Sequence, residues 1–265
     1  MNLDRNALLA LFDREIREHA RPDGPRVRVE RVGDVVRMSD PAEGWGTVVW
    51  SAPDLDARRA DAAIAAQAAH CTAAGYDEFE WKLYAHDRPA DLAERLLAAG
   101  FEAEEPETLM VAPVADLPTA VELPEGVRLR PVRDADDVEL LVRAHGRAFG
   151  TDSAWLRNRV LSRLAEDPDH FVAVLAMAGD EPVSGARMEL CPGTRFAGLW
   201  GGGTAPEWRG RGIYRALIAH RARIAAEHGF RHLQVDASDE SSPILRRLGF
   251  QALSTTTPYV YRPAR

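Results

Sequence analysis

The amino-acid sequence predicts an α/β protein of two tandem units, each a twisted mixed β-sheet flanked by helices. Segments with strand-like alternation are interleaved with segments of helical spacing along all 265 residues. The motif Leu96-Leu-Ala-Ala-Gly-Phe101 has a counterpart in Leu245-Arg-Arg-Leu-Gly-Phe250, and each follows a helix-ending glycine and a strand. Between the halves, Pro113, Pro118 and Pro124 exclude a long helix. We therefore expect domains at residues 1–112 and 127–265, joined by a proline-containing linker at 113–126.

The first half begins with apolar residues at helical spacing from Leu8 to Ile16. Two strands around a Gly33-Asp34 turn follow, and Gly75 ends an alanine-rich helix. The expected elements of this half are strands within 27–38, at 46–50 and at 78–84, helices at 56–74 and 89–99, and a hairpin from 100.

The second half begins with a strand, after which Asp134 is placed to cap a helix. Three strands then follow, and the last of them runs into the glycine-rich segment that precedes the next helix. The expected elements are strands at 127–131, 171–177, 182–190, 196–204 and 232–237, helices near 134–149, 155–164, 213–228 and 242–247, and a closing hairpin.

Composition narrows the class of protein. Apolar residues make up 46% and charged residues 28%, which is typical of a soluble globular chain. The formal net charge of −8 argues against a nucleic-acid binder. Cys71 and Cys191 are too isolated for a disulfide framework or a metal site, and neither a signal peptide nor a membrane span is indicated. We expect a cytoplasmic protein, and the alanine and arginine content is typical of a GC-rich bacterial genome.

The glycine-rich segment from Gly201 to Tyr214 follows a strand and enters a helix. Such a turn directs unpaired backbone N–H groups outward, and the helix dipole adds positive charge, so a pyrophosphate is the natural ligand. Five arginines and no acid lie between Glu207 and Glu227. A Walker loop is excluded by the absence of Gly-Lys-Ser/Thr, and a Rossmann fingerprint by Arg215 where Gly or Ala is needed.

The loop Arg209-Gly-Arg-Gly-Ile-Tyr214 resembles the coenzyme-A loop of the GNAT acyltransferase superfamily, Gln/Arg-x-x-Gly-x-Gly/Ala, except for Tyr214 at the last position. The resemblance covers residues 127–265. It implies an acetyl-CoA-dependent N-acyltransferase that acts on an amine of a small molecule or peptide in a ternary complex; the alternative is a coenzyme-A sensor or scaffold. The cofactor-binding residues that it implies are Gly203, Thr204, Arg209, Gly210, Arg211, Gly212, Ile213, Tyr214, Arg215 and Ser238.

The first half has Ser51-Ala-Pro-Asp-Leu-Asp-Ala57 where the loop should lie, with two acids and no glycine. Because acids repel phosphate, we interpret this half as a degenerate GNAT-like copy without a coenzyme. The two-part layout is similar to that of mycothiol synthase and other tandem GNAT proteins.

The catalytic groups are less defined. At the positions where many relatives carry Tyr and Asn, this chain has Leu245 and Ser238. Glu189, Asp236 and His220 are the candidate bases, with water as an alternative, and Tyr259 is the candidate acid. The strand from Glu80 to Tyr84 is interpreted either as part of an acceptor pocket or as an ordinary half-buried strand.

Overall fold

A computed structural model describes residues 4–24 and 26–263. The chain is an α/β protein and divides into two compact units. Unit 1 contains the chain up to Met110 together with Asp236–Ser242 and the segment from Ala252 onward; unit 2 contains Val111–Val235 and Pro243–Gln251. These units differ from the expected ranges because two C-terminal segments pack with the first half of the chain. The description of residues 1–112 as a degenerate copy stays a prediction.

Helices and strands fall close to the expected segments. The helices are α1 (Arg5–Phe12, continued by a π-helical turn at Asp13–Glu18), α2 (Ala57–Ala74), α3 (Leu92–Ala98), α4 (Ala135–Phe149), α5 (Ala154–Glu166), α6 (Ile213–Glu227) and α7 (Ser242–Arg247). The strands are β1 (Arg28–Val32), β2 (Val35–Asp40), β3 (Trp45–Ser51), β4 (Glu78–Tyr84), β5 (Phe101–Ala103), β6 (Glu107–Pro113), β7 (Val127–Pro131), β8 (Phe171–Ala178), β9 (Glu181–Leu190), β10 (Phe196–Thr204), β11 (His232–Ala237) and β12 (Gln251–Tyr261). None of the helices among the described residues is long and apolar enough to cross a membrane.

Unit 1 is built on strands in the order β1-β2-β3-β4-β12-β6, with β5 also paired to β12. Strands β3 and β4 are parallel neighbours joined through α2. The prediction of a closing hairpin after Arg247 is wrong, because the C-terminus forms one long strand whose residues Thr256–Tyr261 pair with β4. Its run of threonines and aromatic residues suits a strand that needs a non-local partner.

Unit 2 repeats this arrangement with strands in the order β11-β10-β9-β8-β7. Strands β10 and β11 are the parallel pair, joined through α6. One face of the sheet packs against α4 and α5 through Leu141, Leu156 and Leu175, and the other packs against α6 through Val174 and Leu217. A pair of parallel strands connected by one crossover helix is therefore common to both units.

Candidate functional site

Strand β10 departs from regular pairing along its second half. Its ladder with β11 joins Phe196–Gly198 to His232–Gln234, whereas β10 itself continues to Thr204. On the other edge, Trp200 pairs with Arg187 and Gly203 pairs with Gly185, so β10 carries one extra residue there. Such a bulge re-aims backbone groups away from the ladder. A bulge therefore lies at Gly201 and Gly202, and on the other edge the pairing of β10 with β11 ends at Gly198.

The loop between β10 and α6 is fixed by Arg209. Its Nε donates to the backbone oxygen of Thr204 at 3.2 Å, and its Nη2 donates to the backbone oxygen of Ala148 at 3.0 Å. Gly210 and Gly212 follow with φ of +75° and +84°, a conformation that a side chain disfavours. Arg209 therefore stabilises the loop through backbone carbonyls, while the glycines set its course.

Helix α6 begins without a side-chain cap. Gly212 is the N-cap residue, and the first helical hydrogen bond runs from the Ala216 nitrogen to the Gly212 oxygen. The preceding N–H groups have no acceptor within the helix. Two exposed arginines stand beside them: Arg211 lies over the ring of Trp208, and Arg215 reaches back over Gly212. This helix end offers backbone donors and positive charge to an anion.

The corresponding end of α2 in unit 1 is already capped. The carboxylate of Asp56 accepts from the Arg59 nitrogen at 2.9 Å, and the Arg59 guanidinium is paired with Asp34 and Asp56. A phosphate at that helix end would meet carboxylates in place of free donors. The acids noticed in the sequence at 54 and 56 thus lie where they oppose phosphate binding.

The other predicted binding residues differ in which of their atoms face the loop. The Ile213 side chain is buried in the core, so only its backbone faces the loop. The Tyr214 ring lies against Gly202, where a Cβ would be 3.1 Å from it, and so points along β10. The Thr204 hydroxyl hydrogen-bonds to the Ser184 hydroxyl at 2.9 Å, and the Thr204 backbone oxygen accepts from Arg209.

The predicted catalytic residues are divided between the units. Glu189 lies in unit 2 on β9, is 8% exposed and has Arg159 at 3.9 Å. Tyr259 lies in the apolar core of unit 1, which favours packing over an acid role. Ser238 also belongs to unit 1, is exposed, and its hydroxyl is 3.3 Å from that of Ser241. Leu245, at the tyrosine position of the family, is fully buried in unit 2.

Asp236, the other candidate base, is part of a buried charged cluster in unit 1. Its Oδ2 lies 2.6 Å from the Nζ of Lys82, with the two side chains 5% and 17% exposed. Burial by itself lowers the pKa of Lys82, but the Asp236 carboxylate raises it above the ordinary value. The Asp236 carboxylate is therefore held in an ion pair within unit 1.

Glu107 was missed by sequence reasoning, although it belongs to the same cluster. Burial, with help from Asp236 and Glu80, raises the pKa of Glu107 to about 7, while Lys82 acts in the opposite direction. The alternation in Glu80-Trp-Lys-Leu-Tyr84 did place Glu80, Lys82 and Tyr84 on one face of β4. Nothing local marked Glu107, because it comes from another strand.

A glycine-containing loop between a strand that has left its ladder and an uncapped helix start is a geometry suited to an anionic ligand. Residues 138–250 match the acetyltransferase (GNAT) family. This match covers the end of β10, the loop and helix α6, so the similarity to that family extends over the candidate site.

One curated relative is the mycothiol acetyltransferase of Kocuria rhizophila, which is 28% identical over 167 residues, or 53% of this chain and 51% of that protein. The chain thus matches about half the length of that relative.

Solved structures share the fold at low identity. A GCN5-related N-acetyltransferase from Kribbella flavida has a TM-score of 0.67 at 20% identity, covering 98% of this chain and 95% of that one. A conserved protein of unknown function from Staphylococcus epidermidis has a TM-score of 0.71 at 13% identity, with 93% and 97% covered. A tandem GNAT protein from the clavulanic acid biosynthesis pathway has a TM-score of 0.61 at 12% identity, with 91% and 86% covered. Both whole units, rather than the loop domain alone, therefore have counterparts of the same fold.

Proposed function

We propose that this chain is an acetyl-CoA-dependent N-acyltransferase that acts on an amine of a small molecule or peptide. The observation that carries the proposal is the uncapped start of α6, with Gly210 and Gly212 at positive φ, where the equivalent helix α2 is closed by Asp56. The match of residues 138–250 to the acetyltransferase (GNAT) family is the basis for proposing acyl transfer as the reaction.

The residues present fit a pyrophosphate-bearing coenzyme. We assign the pyrophosphate to the backbone N–H groups from Gly210 to Ile213, with Arg211 and Arg215 as neighbouring cations. The end of β10 at Gly203 and Thr204, beyond the part of the strand that pairs with β11, is the expected place for the pantetheine arm and the thioester oxygen. When bound, acetyl-CoA supplies an acyl group activated as a thioester.

The chain must also remove a proton from the acceptor, since an alkylammonium has a pKa near 10 and only the neutral amine attacks. We propose Glu189 as the proton acceptor because it belongs to the same unit as the loop and pairs with Gly198 of β10. Asp236 is engaged by Lys82. The net reaction forms an N–C bond to the acyl carbon and breaks the thioester C–S bond, and the proton lost by the amine ends on the departing thiol.

Thermal unfolding with saturating acetyl-CoA tests the coenzyme site. A ligand at 100 times its dissociation constant adds roughly 2.7 kcal/mol to the stability of the folded state. At about 2–4 °C per kcal/mol the midpoint should rise by roughly 5–10 °C, with no rise in ATP or NAD.

The variant Arg215→Glu should reduce this stabilisation, and Arg58→Glu, an exposed residue in the first turn of α2, serves as the charge-matched control. The α6 assignment fails if the two variants respond to acetyl-CoA alike.

The rival function is coenzyme-A binding without turnover. It is favoured by the buried Leu245 at the position where many family members carry the tyrosine that protonates the thiolate. Thiol release from acetyl-CoA in the presence of amines separates the two functions. Stabilisation by acetyl-CoA with no amine-dependent release across a broad panel would favour the binding module.

A further inference from the structure

Three rings, two exposed and one partly buried, form a cluster on the α4–α5 side of unit 2. Phe149 and Trp155 are 49% and 55% exposed, although both are large apolar side chains. His145 lies between them, with ring centroids 4.4 Å from Phe149 and 6.0 Å from Trp155. Burial, followed by the charge of Arg187, lowers the pKa of His145 to about 4, so its ring is neutral at pH 7. Exposed rings held together in this way are typical of a binding surface.

This ring cluster adjoins the glycine bulge of β10. A Cβ at Gly203 would lie 2.7 Å from the Phe149 ring, and a Cβ at Gly201 would lie 2.9 Å from Nη2 of Arg187. The Arg187 guanidinium is 6.0 Å from the ring centroid of Trp155. The rings and the guanidinium thus border the same stretch of strand that we propose receives the thioester.

Arg187 is buried with incomplete hydrogen bonding. It is 7% exposed, and its Nε has no hydrogen-bond partner among residues 4–24 and 26–263. The acid that acts on it is Glu189, which also has Arg159 at 3.9 Å. Burial, then the charge of Arg159, lowers the pKa of Arg187 to about 10, which leaves it a cation at pH 7. A buried guanidinium with an unused donor is costly unless an anion completes it.

We propose that Arg187 binds a carboxylate of a substrate whose apolar or aromatic part stacks on Trp155 and Phe149. A planar guanidinium matches a carboxylate with two parallel hydrogen bonds, and exposed rings offer a stacking surface. Glu189 lies two positions along the same strand, so an acceptor with both an ammonium and a carboxylate meets opposite charges in the matching order. This rests on the proposed acyltransferase function and names its substrate class: amino acids or peptides with an apolar side chain. A dicarboxylic acyl group is the second source of the same carboxylate.

Matched substrates test the carboxylate. Thiol release from acetyl-CoA is compared for L-phenylalanine against phenethylamine and for L-leucine against isoamylamine. We expect kcat/KM to be about 10–100-fold higher for the carboxylate member, because a charge-assisted pair contributes a factor of that order. In Arg187→Met the preference should fall to about one, mainly through KM, and Arg187→Lys should keep part of it.

One further variant is a control for the loss of a surface charge, and another tests ring stacking. Arg157→Met removes an exposed charge of α5 that pairs with Glu139, and it should leave the preference unchanged. Trp155→Ala, at an exposed position, should raise KM for phenylalanine more than for leucine. Acetyl-CoA should still raise the unfolding midpoint of Arg187→Met, which separates loss of the carboxylate site from loss of the coenzyme site.

These measurements either support or overturn the carboxylate site at Arg187. A preference for succinyl-CoA over acetyl-CoA that depends on Arg187, measured with phenethylamine, would support the carboxylate site and assign it to the acyl group. Equal use of each matched pair, or a preference that survives Arg187→Met, would overturn the proposal. Stabilisation by acetyl-CoA without turnover of any carboxylate-bearing amine or of succinyl-CoA would overturn it while leaving the coenzyme site intact.

Discussion

Replacement of Lys82 by Met is the sharpest test of what Asp236 does. The Lys82 ammonium lies 2.6 Å from the Asp236 carboxylate, and neither side chain is more than 17% exposed. Glu80 and Glu107 add negative charge around the pair. Lys82→Met therefore leaves a buried group of acids without the cation that holds Asp236.

Removal of one member of a buried ion pair costs about 3–5 kcal/mol, because the other charge stays desolvated. With about 2–4 °C per kcal/mol, the midpoint should fall by roughly 6–20 °C. Asp236→Asn should have a cost of the same order, since it leaves Lys82 buried. The double variant should be more stable than the two single costs predict, because neither Lys82 nor Asp236 is then left buried without the other.

Urea unfolding of the four proteins at pH 7 gives the coupling free energy, and the transition must be followed by a probe of unit 1. A cost below about 1 kcal/mol for Lys82→Met, or single costs that simply add, would refute the ion-pair reasoning. Thiol release by the double variant then decides the chemistry. If it stays folded and active, neither residue is needed for turnover; if it stays folded and inactive while Lys82→Met is active, Asp236 is needed for turnover.

Two other predictions concern Glu107 and Arg209. Because the pKa of Glu107 is raised from 4.5 to about 7, folding favours its protonated form, and that stability is present below pH 4.5 and lost as pH rises through 7. Relative to wild type, the free energy of unfolding of Glu107→Gln should therefore rise by about 1–2 kcal/mol between pH 5 and pH 8.5, a figure that is reduced for solvent screening. Urea unfolding of both proteins at each pH measures this rise. A difference in unfolding free energy that does not change with pH would contradict the raised pKa of Glu107. Arg209→Ala loses hydrogen bonds to the backbone of Thr204 and Ala148, so it should cost about 1–2 kcal/mol and weaken acetyl-CoA binding in a titration. Arg209→Lys should not restore either property, and full recovery would show that charge alone matters.

Much of the fold and the coenzyme loop could be predicted because their signals are local. Strand alternation, helical spacing and the glycines at 210 and 212 are properties of neighbouring residues. The partner of the last strand could not be predicted in this way. A strand with alternating residues can pair with the edge of many other strands. Strand β12 pairs with β4 and β5, which are more than a hundred residues away in the chain.

Residue spacing and composition are enough to define a motif in which an arginine-rich, glycine-containing turn enters a helix. The role of each charged side chain, in contrast, depends on which distant residues the folded chain brings next to it. Arg209 hydrogen-bonds to the backbone of the loop, whereas Arg215 lies at the uncapped start of α6. Asp236 forms an ion pair with Lys82, which lies on another strand. Burial and partnership depend on contacts between distant segments, and these contacts also left the Nε of Arg187 buried beside the glycines of β10 without a hydrogen-bond partner among the described residues.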